Sequence, residues 1–264
     1  MIVVDFQIKE RYSVQDLERV MELLRAPGGC PWDREQTHQS IRRNMLEEAY
    51  EVVEAIDEED PVHLQEELGD VLLQVVFHAC MAQEKGWFNL EDVANGVVQK
   101  LVFRHPHVFG TVEAGDTAKA LNTWDDQKKA EKGQKTAGDT LNAVARSLPA
   151  LMRAEKIQDK ARKAGFDWNE TERAVEKLSE EVEELKQAIR EQSNTEEELG
   201  DVLFAAAKVG RFLGHDSEEA LHGTCEKFIT RFCRVEEQLG GTPMKEVPLE
   251  RLEQLWKNAK AQEQ

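Results

Sequence analysis

Apolar residues recur three and four positions apart along most of the chain, which is the spacing of one face of an α-helix. The pattern is clearest at residues 45–56, 64–79, 178–189 and 199–209. The only stretch that suggests a strand is the short apolar run at residues 2–4. Proline and glycine stand between the helical stretches, where helices are expected to end. The pattern therefore predicts an all-α protein.

The composition adds a strong negative charge to this picture. The chain has 264 residues, a formal net charge of −18 and a pI of about 4.9. Because nucleic acids are bound by basic surfaces, we expect no nucleic-acid partner. No long apolar run or signal peptide is present, which predicts a soluble cytoplasmic protein that has no membrane partner. The four cysteines form no Cys-x-x-Cys motif, so reduced thiols are expected rather than a zinc site.

Two sets of four carboxylates stand out within the predicted helices. The first set is Glu48, Glu51, Glu67 and Asp70, and the second is Glu181, Glu184, Glu198 and Asp201. Each set consists of two pairs whose members are three positions apart, so both carboxylates of a pair lie on one helix face. Two such helices side by side would bring four hard oxygen ligands together, as Mg²⁺ or Mn²⁺ requires. Each set therefore predicts a divalent metal site.

The two sets belong to an internal repeat with an offset of about 130 residues. In both halves the second acidic pair lies in the tetrapeptide Glu-Leu-Gly-Asp. A Lys and an Arg four positions apart follow, and then a Trp with a Lys four positions later. These residues are Lys100, Arg104, Trp124 and Lys128 in the first half, and Lys227, Arg231, Trp256 and Lys260 in the second. The shared order predicts two copies of one helical domain, at residues 1–134 and 135–264.

The repeated residues are complementary to a nucleoside triphosphate. Metal ions held by the carboxylates would allow a strongly acidic protein to bind phosphates. The Lys and Arg on one helix face would contact phosphate oxygens, and the Trp would offer a flat surface for a base or a ribose. Water held by a metal and a carboxylate becomes a nucleophile near neutral pH. No glycine-rich phosphate loop, Ser-His-Asp set or Cys-His pair competes for this role.

Each of these residues also has a structural interpretation. Glutamate pairs at helical spacing are most often solvated surface, and isolated tryptophans are most often packing residues. The second acidic pair argues against a purely surface role, because it precedes an apolar run where unpaired acids are costly. Two further classes of function stay open: a nucleotide-binding regulatory or adaptor protein without turnover, and a purely helical interaction protein.

The sequence also resembles a known family over nearly its whole length. Beyond the carboxylate sets, the resemblance rests on the motifs GCPWD at 29–33, RHPHVF at 104–109, RSLPAL at 146–151 and GFDW at 165–168. Together they are similar to the two-domain bacterial MazG family of nucleoside triphosphate pyrophosphohydrolases. The resemblance implies tandem all-α domains, metal-binding helices in a four-helix bundle and assembly as a homodimer. It also implies Mg²⁺-dependent hydrolysis of nucleoside triphosphates to monophosphate and pyrophosphate.

The resemblance assigns roles to residues as well. Family metal ligands map onto both carboxylate sets. In the second copy, phosphate and nucleotide contacts map onto Lys177, Lys227, Arg231, Trp256 and Lys260. Asn44 occupies the position of Lys177 in the first copy, which removes one phosphate-binding cation there. A nearby glutamate, Glu180 or its first-copy counterpart Glu47, would orient or deprotonate the attacking water. We therefore expect catalysis chiefly in the second copy, by Glu180, Glu181, Glu184, Glu198 and Asp201. The first copy is then expected to be weaker, more selective or chiefly a dimer scaffold.

Overall fold

The computed structural model describes residues 6–110, 124, 127–128 and 130–261. The chain divides into two compact units, Met1–Lys128 and Lys129–Gln264. This division falls a few residues before residue 134, where the repeat predicted a boundary. Every regular element in the described ranges is helical, which confirms the prediction of an all-α fold.

The first unit is organised around one long helix. Its helices with described bounds are α1 (Val14–Arg25), α2 (Pro31–Glu35), α3 (Arg42–Asp57), α4 (Pro61–Glu84), α5 (Leu90–Arg104) and α6 (Pro106–Phe109). Helices α1 and α3 both pack against α4. The C-terminal half of α4 supplies most of the core, which consists of Met21, Ile41, Val76, Phe77, Cys80 and Met81.

The turn between α3 and α4 sets the register of the two helices. Glu59 adopts a left-handed backbone conformation with φ of 55°, which reverses the chain within a few residues. Asp60 then caps α4, because its Oδ1 accepts hydrogen bonds from the backbone N–H groups of Val62 and His63. Pro61 fits the first helical position, where no N–H is needed. The start of α4 is thus fixed relative to the end of α3.

The second unit contains a corresponding pair of helices. Its elements are α7 (Ala137–Asn142), α8 (Ala150–Lys163), α9 (Thr171–Glu191), α10 (Thr195–Leu213), α11 (Ser217–Leu239), a 3₁₀ turn (Met244–Glu246) and α12 (Leu249–Ala261). Helices α9 and α10 form the most extensive pair, and α8 packs against α10. Helix α12 packs against α11 around the buried residues Val235, Leu255 and Ala259.

The α9–α10 connection is as short as the α3–α4 connection but is built differently. Gln192 and Asn194 both have positive φ, at 54° and 47°, and Asn194 makes no side-chain cap for α10. The two units therefore repeat a helical hairpin while turning the chain with different residues. Within the described residues, no helix is long and apolar enough to span a membrane.

Candidate metal and nucleotide site

The α3–α4 hairpin brings three carboxylates of the first set together. Glu48 on α3 and Glu67 and Asp70 on α4 each offer an oxygen, and these oxygens lie within 4.8 Å of one another. We call these three residues the N-terminal cluster. All three side chains are half-buried. Glu51, the fourth carboxylate of the set, is exposed and lies outside this group, although its carboxyl contacts that of Glu48.

The α9–α10 hairpin repeats this arrangement in the second unit. Glu181, Glu198 and Asp201 offer oxygens within 4.8 Å of one another, and we call them the C-terminal cluster. Glu181 is only 8% exposed, which is unusual for a glutamate. Glu184 is exposed and lies outside the three-residue group, but its carboxyl contacts that of Glu181.

In both carboxylate sets the surroundings disfavour the ionised form of one carboxyl group. Burial, followed by the charges of Asp70 and Glu51, raises the pKa of Glu48 above its ordinary value. The contact with Glu181 is the main cause that raises the pKa of Glu184. Three hard oxygen donors held this close are stabilised when a divalent cation is placed between them. The residues present in both clusters therefore fit Mg²⁺ or Mn²⁺.

Each cluster has hydrogen-bonding neighbours. Those of the N-terminal cluster, Gln74 and His63, were not predicted from the sequence. Gln74 on α4 is 6% exposed, and its Nε2 donates to Glu48 Oε1 at 3.4 Å. His63 lies between two carboxylates, with Nδ1 at 2.8 Å from Glu58 and Nε2 at 3.2 Å from Glu67. The available signals were a lone glutamine inside an apolar run and a histidine four positions before a predicted ligand.

The predicted phosphate cation Lys177 lies directly against the second carboxylate set. Its Nζ is 2.8 Å from Glu181 Oε1 and 2.7 Å from Glu180 Oε1. These two carboxylates raise the pKa of Lys177, so the ammonium group stays charged over the whole physiological range. In the first unit Asn44 occupies the corresponding position, one turn before Glu48 on α3.

The remaining predicted substrate residues lie on other helices. In the first unit, α5 carries Lys100 and Arg104, and the Arg104 guanidinium lies 5.3 Å from the ring centre of Trp124. Lys128 Nζ lies 4.6 Å from the same ring. The structure thus brings a tryptophan and two of the predicted cations into one group.

The second unit places the equivalent tryptophan differently. The Trp256 ring packs at 4.9 Å from the Phe228 ring and borders the small core between α11 and α12. Lys227 and Lys260 are exposed, and Arg231 is half-buried. Trp256 is therefore partly a packing residue, whatever it contributes to a ligand.

Comparison with known families identifies both hairpins. The MazG nucleotide pyrophosphohydrolase domain matches residues 36–109 and again residues 169–235. The first match contains the whole N-terminal cluster, and the second contains the whole C-terminal cluster. The chain belongs to the MazG family. The resemblance inferred from the motifs is thereby confirmed.

Individual MazG relatives agree with the domain match. The nucleoside triphosphate pyrophosphohydrolase/pyrophosphatase MazG of Thermotoga maritima is 44% identical over 248 residues, which cover 93% of this chain and 95% of the relative. The nucleoside triphosphate pyrophosphohydrolase of Escherichia coli K12 is 44% identical over 258 residues, which cover 95% of this chain and 98% of the relative. A protein with the same description from Mycolicibacterium smegmatis is 39% identical over 153 residues, covering 57% of this chain and 46% of the relative.

Proposed function

We propose that this MazG-family protein hydrolyses nucleoside triphosphates, with ribose or deoxyribose, to nucleoside monophosphate and pyrophosphate. Its role would be house-cleaning of the nucleotide pool or control of its size, in the cytoplasm. The observation that carries the proposal is the pair of three-carboxylate clusters, each held by one of the two MazG-matched hairpins. The names of the T. maritima and E. coli relatives support the reaction. The formal net charge of −18 argues against a nucleic acid as the substrate.

The clusters would hold Mg²⁺, or Mn²⁺ in its place. Glu48, Glu67 and Asp70 would be the ligands in the first unit, with Glu51 adjoining. Glu181, Glu198 and Asp201 would be the ligands in the second unit, with Glu184 adjoining. When bound, a divalent cation neutralises phosphate charge and lowers the pKa of coordinated water.

The chain's own residues would supply binding and proton transfer. In the second unit, Lys177, Lys227 and Arg231 are proposed to bind phosphate oxygens, since charged nitrogen donors make the strongest hydrogen bonds to phosphate. Trp256 and Lys260 are proposed to contact the nucleoside. Glu180 is exposed beside Lys177 and is proposed to orient the attacking water or accept its proton.

We assign the main catalytic centre to the second unit. Lys177 is already within 2.8 Å of the C-terminal cluster and can reach a phosphate bound there. The first unit has Asn44 at this position and Glu47 in place of Glu180, and Glu47 Oε1 accepts a hydrogen bond from Arg43 at 2.7 Å. Its group of Arg104, Trp124 and Lys128, with Lys100 on the same helix as Arg104, would give a weaker or more selective nucleotide site, or the first unit would serve chiefly as a dimer scaffold.

We also propose a homodimer. Helix α5 exposes a run of large apolar side chains, Val97, Val98, Leu101, Val102 and Phe103, each between 43% and 56% exposed. Contiguous apolar surface of this kind is costly in water and typical of a buried interface. A second copy could pair the metal-binding hairpins into four-helix bundles. Light scattering of the full chain should give twice its 30.1 kDa mass.

The repeat limits, 1–134 and 135–264, are proposed as the two domains.

Product analysis tests the proposed reaction. The purified chain is incubated with several nucleoside triphosphates and Mg²⁺, and the products are separated by anion-exchange chromatography. The expected products are nucleoside monophosphate and pyrophosphate in equal amounts. Release of single phosphate would contradict the proposed reaction. Tight nucleotide binding without product over hours would instead favour a regulatory protein without turnover.

A further inference from the structure

The two clusters receive their hydrogen bonds from different kinds of donor. In the N-terminal cluster, Glu48 accepts a bond from the neutral amide of Gln74, which comes from the opposite helix, α4. In the C-terminal cluster, Glu181 is bound by the charged Nζ of Lys177, which lies one turn earlier on the same helix, α9. Apart from the carboxyl contacts with Glu51 and Glu184, the donors described for the α3 ligand and the α9 ligand thus differ in charge and origin.

The difference is reciprocal at the level of the sequence. Alignment of the two Glu-Leu-Gly-Asp motifs places Gln74 opposite Ala205, and both residues are 6% exposed. Alignment of the preceding glutamates places Lys177 opposite Asn44. The first copy therefore has the amide of Gln74 and lacks the ammonium group. The second copy has the ammonium group of Lys177 and lacks the amide.

The surroundings of Gln74 point to a role beyond packing. Its Oε1 is buried and has no hydrogen-bond partner among the described residues, which is unfavourable for an amide. An apolar residue would fill the same space without that cost. The only hydrogen bond recorded for the Gln74 amide within the described part of the chain is the one to Glu48. A buried amide beside three carboxylates is well placed to orient one of them.

The charge of the donor has consequences for a cation. The neutral amide of Gln74 fixes the direction of Glu48 and adds no positive charge beside this ligand. The other neighbour of the cluster, His63, contacts Glu67 on α4 at 3.2 Å and not Glu48. Lys177, in contrast, places an ammonium group 2.8 Å from a carboxylate oxygen that a cation would use. A divalent cation is repelled by that group until Lys177 moves, and a bound triphosphate offers it an alternative anion.

We propose that Gln74 is a positioning residue for Glu48 and lets the N-terminal cluster bind a divalent cation without nucleotide, whereas Lys177 makes cation binding at the C-terminal cluster depend on the triphosphate. The inference rests on the proposed function only in taking both clusters as cation sites. The first unit would then hold a resident cation, and the second unit would acquire its cation together with the substrate.

Mn²⁺ titration of the full chain, followed by electron paramagnetic resonance, tests the role of Gln74. The C-terminal cluster is removed by Glu198→Gln and Asp201→Asn, so that the signal reports on the N-terminal cluster. In this background we expect Mn²⁺ to bind without nucleotide, and Gln74→Met to weaken binding roughly 10-fold or more. Methionine keeps the volume, so a packing role alone predicts unchanged affinity, and that result would overturn the proposal. The matched control is Gln65→Met on the exposed surface of α4, which should not change the affinity.

A transplant between the copies tests the role of the charge. In the same background, Gln74→Ala with Asn44→Lys gives the first copy the donor of the second. We expect Mn²⁺ binding that becomes tighter by roughly 10-fold or more when a non-hydrolysable triphosphate analogue is added. The converse background, Glu67→Gln with Asp70→Asn, should show the same dependence at the unaltered C-terminal cluster. Tight nucleotide-independent binding at that cluster would overturn the proposal.

The test separates this inference from the proposed function. Pyrophosphate release from the chain without substitutions is measured in parallel. If no triphosphate is cleaved but the Mn²⁺ affinities change as expected, the proposed function fails and the inference stands. If triphosphate is cleaved but Gln74→Met binds Mn²⁺ normally, the inference fails and the function stands.

Discussion

The N-terminal and C-terminal clusters each contain the tetrapeptide Glu-Leu-Gly-Asp and each lie on a hairpin of the same kind, yet their immediate neighbours differ. The first cluster is bordered by Gln74 and His63, and the second by Lys177. The placement of three carboxylates depends on helix spacing and hairpin register, which both copies keep. The neighbouring donors depend on single positions and can change while the cluster stays intact. Similar ligand sets can therefore have different chemistry.

The segments that precede the two hairpins differ in a comparable way. In the first unit, a buried arginine holds the segment: Arg25 donates to the backbone oxygens of Asp33 and Gln36 and pairs with Glu84. In the second unit, a buried carboxylate holds it: Asp167 is paired with Lys208 and Arg211. The central ion has the opposite sign, although both segments are anchored to the second helix of their hairpin.

Among residues outside the two clusters, the largest difference between the units is expected from the lysine. Lys177→Met removes a charged donor from the proposed triphosphate site, and such a bond contributes about 1.5–3 kcal/mol. We expect KM for the triphosphate to rise roughly 10- to 100-fold, with a smaller change in kcat. Steady-state kinetics measures both constants. Asn44→Met is the matched control in the first unit, and an equal rise in KM there would show that the two copies contribute alike.

Arg25, which anchors the segment before the first hairpin, is expected to contribute to the stability of the first unit. Arg25 has a side chain that is 7% exposed, and Arg25→Met leaves two backbone oxygens and Glu84 without their donor. We expect the free energy of unfolding of the first unit to fall by about 2 kcal/mol. Urea denaturation measures this change. Arg19→Met removes only an exposed pair with Glu22 and should cost less than about 1 kcal/mol.

The smallest effect concerns the burial of Glu48 and, after it, the repulsion of its carboxylate by Asp70 in the N-terminal cluster. Because the folded pKa of Glu48 is raised, the folded protein binds this proton more tightly than the unfolded chain does. Its ionisation therefore opposes folding above the raised pKa, and the penalty disappears as the pH falls below the ordinary value. We expect Glu48→Gln to raise Tm by about 1–3 °C at neutral pH without metal, and to have little effect near pH 4.

For the same variant, Glu48→Gln, we expect an opposite effect on the rise in Tm that a bound cation causes. A cation that binds only the folded protein raises Tm, and Glu48→Gln should reduce that rise at the N-terminal cluster. Thermal melts with and without Mg²⁺ measure both quantities. A variant that melts below the unsubstituted chain without metal at neutral pH would show that burial and repulsion of the Glu48 carboxylate do not dominate its effect on stability.

The sequence predicted the helices and the clusters because both follow from local spacing. An acidic pair three positions apart on a helix with an apolar stripe has few possible orientations once the helix packs. The contribution of each carboxylate was less predictable: Glu51 and Glu184 lie outside the three-residue groups, because a pair on one face still differs in depth.

Contacts between helices were the part that the sequence could not predict. Gln74 was hidden within the apolar run from Val71 to Ala79, since its bond to Glu48 depends on how α4 meets α3. The ion pairs of Lys177 join residues three and four positions apart on α9, so helix spacing could have indicated them. The packing of Trp256 on Phe228, in contrast, depends on how α12 meets α11. Spacing within one helix cannot supply this information.

Initial rates of pyrophosphate release by the Asp70→Asn and Asp201→Asn variants test whether catalysis takes place chiefly in the second unit. Each substitution removes one carboxylate charge from one cluster while the side chain keeps its size. Circular dichroism checks that the helices remain. We expect a loss of roughly 100-fold or more for Asp201→Asn and a clearly smaller loss for Asp70→Asn. A larger loss for Asp70→Asn, or a rate near that of the unsubstituted chain for Asp201→Asn, would contradict this expectation.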